Sequence, residues 1–114
     1  MNDLIDKKCV PCEAGVLPFD IGEIHKYQKK VDGWDVKKNE NNNYFLEKKF
    51  TFQNFINSQE FINKVGKISE EEGHHPDIFF GWGYAKITIT TNAIEGLSEN
   101  DFILAAKIDQ IFNV

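Results

Sequence analysis

The amino-acid sequence predicts an α+β domain in which a four-stranded antiparallel sheet carries three helices on one face. Two stretches, 44–52 and 84–91, alternate between apolar and polar residues, as strands with one buried face do. Each lies one turn away from another strand-like stretch, which predicts two hairpins. Between the hairpins, residues 54–72 carry apolar side chains at helical spacing. Strands joined in hairpins form antiparallel sheets, and grouped helices bury their apolar sides against one face of such a sheet.

Length and composition bound the class of protein. A chain of 114 residues is one domain, which we divide into an N-terminal arm and loop at 1–17 and a domain at 18–114. The formal net charge of −5 argues against nucleic-acid binding through a basic surface. No apolar run approaches the ~20 residues of a membrane span, and the N-terminus lacks the apolar segment of a signal peptide. We therefore expect a cytoplasmic protein that does not enter a membrane.

Capping and turn residues mark the first helix and the first hairpin. Asp20 and Glu23 have the spacing of a capping box, which predicts a helix that continues to about Val31. Residues 34–36 predict a strand. The asparagine-rich stretch 39–43 predicts the turn into the next strand, because asparagine tolerates left-handed backbone.

The long helix and the second hairpin have equally clear boundaries. Gly73 and Pro76 end the amphipathic helix predicted at 54–72. Strands are then predicted at 78–80 and 84–91, on either side of a glycine-rich turn.

The last helix is predicted from the capping sequence at 98–101 to about residue 112. One of its apolar stripes can pack on the sheet, whereas the other needs a second partner, because a wide exposed apolar patch is unusual in a monomer. We therefore expect self-association, with the strand at 84–91 pairing edge to edge with its copy. The stripes are Phe102, Ala105, Ala106 and Phe112, and Leu104, Ile108 and Ile111.

The strongest candidate for a functional site is the adjacent pair His74 and His75, where the long helix passes into a strand. Histidine changes charge nearest to neutral pH, and acidic residues flank the pair, so proton transfer is the chemistry that it suggests. Glu70 lies one helical turn before His74, where its carboxylate could orient the imidazole. The alternative is structural, because a histidine at a helix C-terminus interacts favourably with the helix dipole.

Metal binding is disfavoured for both candidate ligand sets. Histidine ligands on one helix face are usually separated by three residues, whereas His74 and His75 are adjacent. Cys9 and Cys12 form a Cys-x-x-Cys pair, but a zinc site needs more ligands, and no strand precedes the pair as it does in redox motifs. We expect unpaired, reduced cysteines in a mobile arm, and a redox or zinc protein stays open as a third interpretation.

Trp82 stands between two glycines, and two interpretations of it stay open. It is either a stacking platform for a flat ligand or a core aromatic that fills space under a bulge. His25, in the charged first helix, is expected to be a solvated surface residue.

Three blocks of the sequence form a specific combination. They are Glu70-x-x-x-His74-His75-Pro76, an aromatic residue at Trp82 or Tyr84, and Gly96-Leu97-Ser98-Glu99-Asn100-Asp101. Together with a last helix that contains Ala105-Ala106, they resemble the pterin-4a-carbinolamine dehydratases over nearly the whole chain.

This resemblance implies a four-stranded antiparallel sheet with three helices on one face, in agreement with the pattern above. It implies dehydration of 4a-hydroxytetrahydropterin to quinonoid dihydropterin, a step of tetrahydrobiopterin recycling, without a metal or an organic cofactor. It further implies a pterin substrate, a dimer or tetramer, and an aromatic amino acid hydroxylase as a pathway partner.

The resemblance also implies site residues. His74 would be the acid/base residue beside the hydroxyl group, oriented by Glu70, and His75 would hold or polarise the pterin. At Asn92 the sequence departs from the family, which has a histidine there, and asparagine cannot carry a proton at neutral pH. A catalytically weak or inactive pterin-binding, coactivator or assembly-type partner protein is therefore the alternative. The predicted substrate-binding residues are Asn92, Trp82, Tyr84 and Asp101.

Overall fold

The computed structural model describes residues 3–10 and 16–113, and it confirms the predicted α+β class. Helices and strands follow the predicted order, with boundaries close to the predicted ones. The helices are α1 (Ile21–Gln28), α2 (Phe55–Glu72) and α3 (Glu99–Asn113), and the strands are β1 (Asp35–Lys38), β2 (Tyr44–Thr51), β3 (Asp77–Gly81) and β4 (Tyr84–Ile89).

The four strands form one antiparallel sheet in the order β1-β2-β4-β3. In the centre, Leu46 of β2 lies opposite Ile89 of β4, and Phe50 lies opposite Ala85. The prediction that the 84–91 strand pairs edge to edge with a copy is wrong, because β4 already has a strand on each side. The outer strands of the sheet are β1 and β3.

The core lies between one face of the sheet and the helices. Leu46 and Phe50 of β2 and Ile87 and Ile89 of β4 are buried there, as the alternation predicts. The neighbouring residues along these strands point to the opposite face, which carries the exposed Phe79 of β3. The helices therefore cover one face, and the other face meets solvent.

Capping side chains define the start of α1 and α2. Asp20 Oδ1 accepts a hydrogen bond from the Glu23 N–H at 2.9 Å, as the capping box predicts. Asn54 Oδ1 accepts one from the Asn57 N–H at 2.8 Å. α1 ends at Gln28, earlier than predicted, because the chain there tightens into turn-like bonds before it enters β1.

α2 is amphipathic along its 18 residues. Its buried residues recur at intervals of three or four along one side, and the opposite side is exposed. Among residues 3–10 and 16–113, no helix is both long enough and apolar enough to cross a membrane. The buried residues of α2 are Ser58, Phe61, Val65, Ser69 and Glu72.

α3 is buried on most of its sides within a single chain. Residues 102–106 and Ile108 are all buried. A short 3₁₀ turn at Asp3–Asp6 contacts α3 and places Leu4, which is fully buried, in the common core. The start of this chain therefore covers much of α3, which leaves Phe112 at its end 39% exposed, and the need for a second chain stays a prediction. The sequence does not predict this 3₁₀ turn within the N-terminal arm, because so short an element carries no periodicity.

Candidate active site

The histidine pair directly follows a well-defined helix end. Gly73 has a left-handed φ of 65°, which glycine adopts without the steric cost of a Cβ. The Gly73 N–H donates to the Glu70 carbonyl at 3.2 Å, and the His74 N–H donates to the Ser69 carbonyl at 3.1 Å. These two bonds form a Schellman motif, which turns the chain off the helix axis. His74 and His75 therefore no longer follow the spacing of α2.

Both histidines line an open cavity of about 310 Å³. The cavity lies where the C-terminal end of α2, the end of β4 and the N-terminal end of α3 meet an N-terminal segment. Its volume is at the lower end of the range of small-molecule sites, which suits a small ligand. Its lining residues are Cys9, Val10, Gly73, His74, His75, Thr90, Thr91, Asn92, Ala93 and Asn100.

Asp101 fixes the orientation of His74. Asp101 Oδ1 lies 2.7 Å from His74 Nε2, with the carboxylate fully buried and the imidazole 14% exposed. Its other oxygen, Oδ2, accepts hydrogen bonds from Thr91 Oγ1 and from the Ser98 N–H, both at 2.8 Å. Nε2 is the donor to this carboxylate. Nδ1 makes no hydrogen bond with any of the described residues, so it is the ring nitrogen left for a ligand.

Glu70 contacts the other histidine. Its Oε2 lies 2.8 Å from His75 Nε2, and the two side chains are 80% and 63% exposed. The prediction that Glu70 orients His74 is wrong, because the helix ends at Gly73 and the four-residue spacing no longer applies. An exposed contact of this kind contributes little energy, so Glu70 restrains His75 only weakly.

The structure separates the predicted substrate-binding residues. Asn92 is exposed and lines the cavity from a short 3₁₀ turn at Asn92–Ile94. Asp101 lies beneath His74 with both oxygens already bonded, and its predicted role in substrate binding stays a prediction. Its carboxylate reaches the cavity only through the imidazole.

Trp82 and Tyr84 lie at the far end of the second hairpin. They are 71% and 38% exposed, so the interpretation of Trp82 as a core aromatic is wrong. The five residues of β3 separate them from the histidine pair. That strand length corresponds to roughly 17 Å. A single chain does not bring these aromatic residues to the cavity, and their role in substrate binding stays a prediction.

Cys9 lines the cavity, but it is not a reactive thiol. Burial, with the Glu72 carboxylate as the next cause, raises the pKa of Cys9 to about 12, so it stays protonated at neutral pH. It is a free cysteine, and Cys12 lies outside the described residues. Within the described ranges, no three histidine, cysteine or carboxylate side chains converge as metal ligands would.

Nearly the whole chain matches a known protein family. The family described as Pterin 4 alpha carbinolamine dehydratase matches residues 18–111. The chain belongs to this dehydratase family. The resemblance predicted from the sequence blocks is therefore confirmed.

Similar dehydratase-family proteins occur in several bacteria. A Rubrobacter xylanophilus protein with the provisional name pterin-4-alpha-carbinolamine dehydratase is 43% identical over 111 residues, which cover 97% of this chain and 100% of that protein. A Halorhodospira halophila protein with the same provisional name is 45% identical over 108 residues, which cover 95% of this chain and 96% of its own.

Two solved structures share the dehydratase fold. A transcriptional coactivator/pterin dehydratase from Brucella melitensis superposes with a TM-score of 0.74 at 23% identity, over 82% of this chain and 97% of its own. A pterin dehydratase-like protein, identified as a RuBisCO assembly factor in the alpha-carboxysome, has a TM-score of 0.59 at 28% identity, over 69% of this chain and 88% of its own. The first comparison supports the fold alone.

Proposed function

We propose that this protein dehydrates a 4a-hydroxytetrahydropterin to quinonoid dihydropterin. The observation that carries the proposal is the His74–Asp101 pair, in which a buried carboxylate orients an imidazole that lines an open cavity. Such a pair positions a proton donor and acceptor, and membership of the dehydratase family supplies the reaction class.

The proposed reaction breaks the C4a–O bond of the pterin and removes the proton from N5. His74, in its imidazolium form, donates a proton from Nδ1 to the departing hydroxyl group, which leaves as water. The N5 proton passes to a solvent water, and a C4a–N5 double bond forms. Asp101 holds the ring and balances its positive charge. One positioned general acid of this kind accelerates a reaction by typically 10²–10⁴-fold.

His75 and Asn92 are proposed to bind the pterin ring. Both line the cavity, and both carry polar groups that can hydrogen-bond the heterocycle. Among the described residues, the side chain of His75 is hydrogen-bonded by the exposed Glu70 alone, so it can adjust to a ligand. This assignment leaves His74 as the side chain that transfers the proton.

The direct test is an assay for quinonoid dihydropterin. A tetrahydropterin and an aromatic amino acid hydroxylase supply the carbinolamine, and absorbance follows its dehydration with and without the protein. We expect clear acceleration at micromolar protein. A rate no faster than in buffer would overturn the proposed reaction.

The proposed physiological setting is tetrahydrobiopterin recycling in the cytoplasm, with an aromatic amino acid hydroxylase as the pathway partner. The hydroxylase would produce the carbinolamine that this protein consumes. Comparing kcat/KM for carbinolamines that differ only in the pterin side chain tests the substrate. Equal values for all of them would argue against tetrahydrobiopterin as the selected substrate.

Asn92→His is expected to raise kcat by roughly tenfold, because it adds a group at the cavity that can carry a proton near neutral pH. Asn92→Ala should cost far less than removal of His74, since only hydrogen bonds are lost. The measurement is kcat of both variants in the dehydration assay. An unchanged rate in Asn92→His would show that a third histidine is dispensable on this scaffold.

A binding or assembly protein with little or no turnover is the second candidate. Asn92 in the cavity favours it, as does the 28% identity to a dehydratase-like protein identified as a RuBisCO assembly factor. Micromolar binding of a pterin without turnover, or co-purification with one stoichiometric partner, would support this candidate over the enzyme.

We also propose that the protein self-associates as a dimer or tetramer, through the outer strand β3 rather than through α3. β3 is an outer strand of the sheet and carries Phe79, which is 58% exposed. We expect light scattering at tens of micromolar protein to give a mass above one chain, and Phe79→Asp to lower it. Leu17→Asp, at a residue that is 87% exposed outside the sheet, is the matched control. A monomer mass for the unmodified protein would contradict the proposal.

A further inference from the structure

The segment Cys9–Val10 is fixed by side chains from two helices. The Cys9 N–H donates to Glu72 Oε1 at 2.8 Å. Val10 and the Asn100 side chain bond reciprocally: the Val10 N–H donates to Oδ1 at 3.0 Å, and Nδ2 donates to the Val10 carbonyl at 2.6 Å. Cys9 Sγ also lies 3.5 Å from the Asn100 carbonyl. The backbone of this segment is therefore held at several points.

The anchors of this segment adjoin the residues that build the candidate site. Glu72 is the last residue of α2, two residues before His74, and Asn100 directly precedes Asp101 in α3. Both anchors are buried. Lys107 Nζ lies 2.8 Å from Glu72 Oε2 and so holds the carboxylate in place. The same two helix ends thus position the imidazole and a second wall of the cavity.

Val10 differs from most of the cavity lining. It is apolar and 65% exposed although its backbone is fixed, whereas histidine, threonine and asparagine side chains make up much of the remaining wall. An exposed apolar side chain on a restrained backbone loses water contact when a flat ring lies against it, and it loses little conformational freedom in doing so. The matched family region begins at residue 18, so it does not include this segment.

We propose that Val10 is a substrate-binding residue that packs on the apolar face or side chain of the pterin, and that Asn100 and Glu72 are positioning residues that hold it there. This inference rests on the proposed function and deepens it. It makes the N-terminal segment a determinant of substrate affinity rather than of proton transfer, because Val10 carries no titratable group.

Val10→Ala is expected to raise KM, and the dissociation constant of the unreactive probe biopterin, by about fivefold, with kcat changed by less than about twofold. Val10→Ile should keep both constants near those of the unmodified protein. Val16→Ala is the matched control, because Val16 is 55% exposed and does not line the cavity. If the unmodified protein catalyses the dehydration and Val10→Ala leaves KM unchanged, this inference is overturned and the proposed function is not. Absence of both turnover and biopterin binding in the unmodified protein overturns the proposed function as well.

The anchoring of the Cys9–Val10 segment by Asn100 can be tested without any activity measurement. In a Cys12→Ser background Cys9 is the only thiol, and its labelling rate by N-ethylmaleimide reports release of the segment. Asn100→Ala is expected to accelerate labelling by about tenfold through easier local opening. Biopterin should slow labelling when Asn100 is present. Asn57→Ala, at an exposed residue of α2, is the control. Equal labelling rates in Asn100→Ala and in the control would overturn the positioning assignment.

Discussion

Replacing His74 by alanine is expected to lower kcat for carbinolamine dehydration by a factor on the order of 10² or more. His74 is the only histidine of the pair that a buried carboxylate orients toward the cavity, at 2.7 Å from Asp101. Without it, solvent must supply the proton to the leaving hydroxyl group. The measurement is kcat in the dehydration assay, with the dissociation constant of biopterin measured beside it.

The controls separate proton transfer from structural loss. His74→Ala removes a partner of the buried Asp101, which costs about 1–3 kcal/mol of unfolding free energy. His74→Gln keeps a donor near that carboxylate and carries no titratable proton, so it should be as slow as the alanine variant but more stable. His75→Ala should mainly weaken binding, and His25→Ala, on the exposed side of α1, should change neither constant. Full turnover in a folded His74→Gln would refute the acid assignment.

Asp101→Asn is expected to lower kcat by a factor on the order of 10² while the protein stays folded. The asparagine oxygen can still accept from Thr91 and Ser98, which places the amide NH₂ at His74 Nε2. Because that NH₂ only donates, Nε2 must accept, and a ring that carries no proton on Nε2 cannot be the imidazolium that acts as the acid. The neutral amide also leaves the imidazolium without a compensating charge. The measurements are kcat and its pH profile.

Asp109→Asn is the matched control for this prediction. Asp109 lies in the same helix, is also buried, and accepts hydrogen bonds from Trp34 and Lys48 away from the cavity. Its replacement should lower the melting temperature and leave the pH profile of kcat unchanged. If kcat of Asp101→Asn were within about threefold of that of the unmodified protein, the role of Asp101 would be limited to capping α3.

The choice of carboxylate for each histidine shows where sequence reasoning stopped. Glu70 precedes His74 by one helical turn, so helical spacing pairs them. Gly73 ends the helix in the left-handed region, and beyond it Glu70 meets His75 instead. Asp101, 27 residues from His74 in the chain, lies behind the imidazole and bonds its Nε2. No local pattern encodes such a contact, because it depends on how α2 and α3 pack.

Local sequence determined the α+β class, the order of the helices and strands, the end of α2 at Gly73 and the position of the histidine pair. These features follow from periodicity and capping within a few residues, which act before the chain is folded. The tertiary structure alone decided the strand order, the burial of α3 under the 3₁₀ turn at Asp3–Asp6, and the cavity that joins residues 9–10 to the ends of α2 and α3. These features depend on contacts between residues far apart in the chain, whose partners are selected by packing and hydrogen-bond satisfaction across the whole domain.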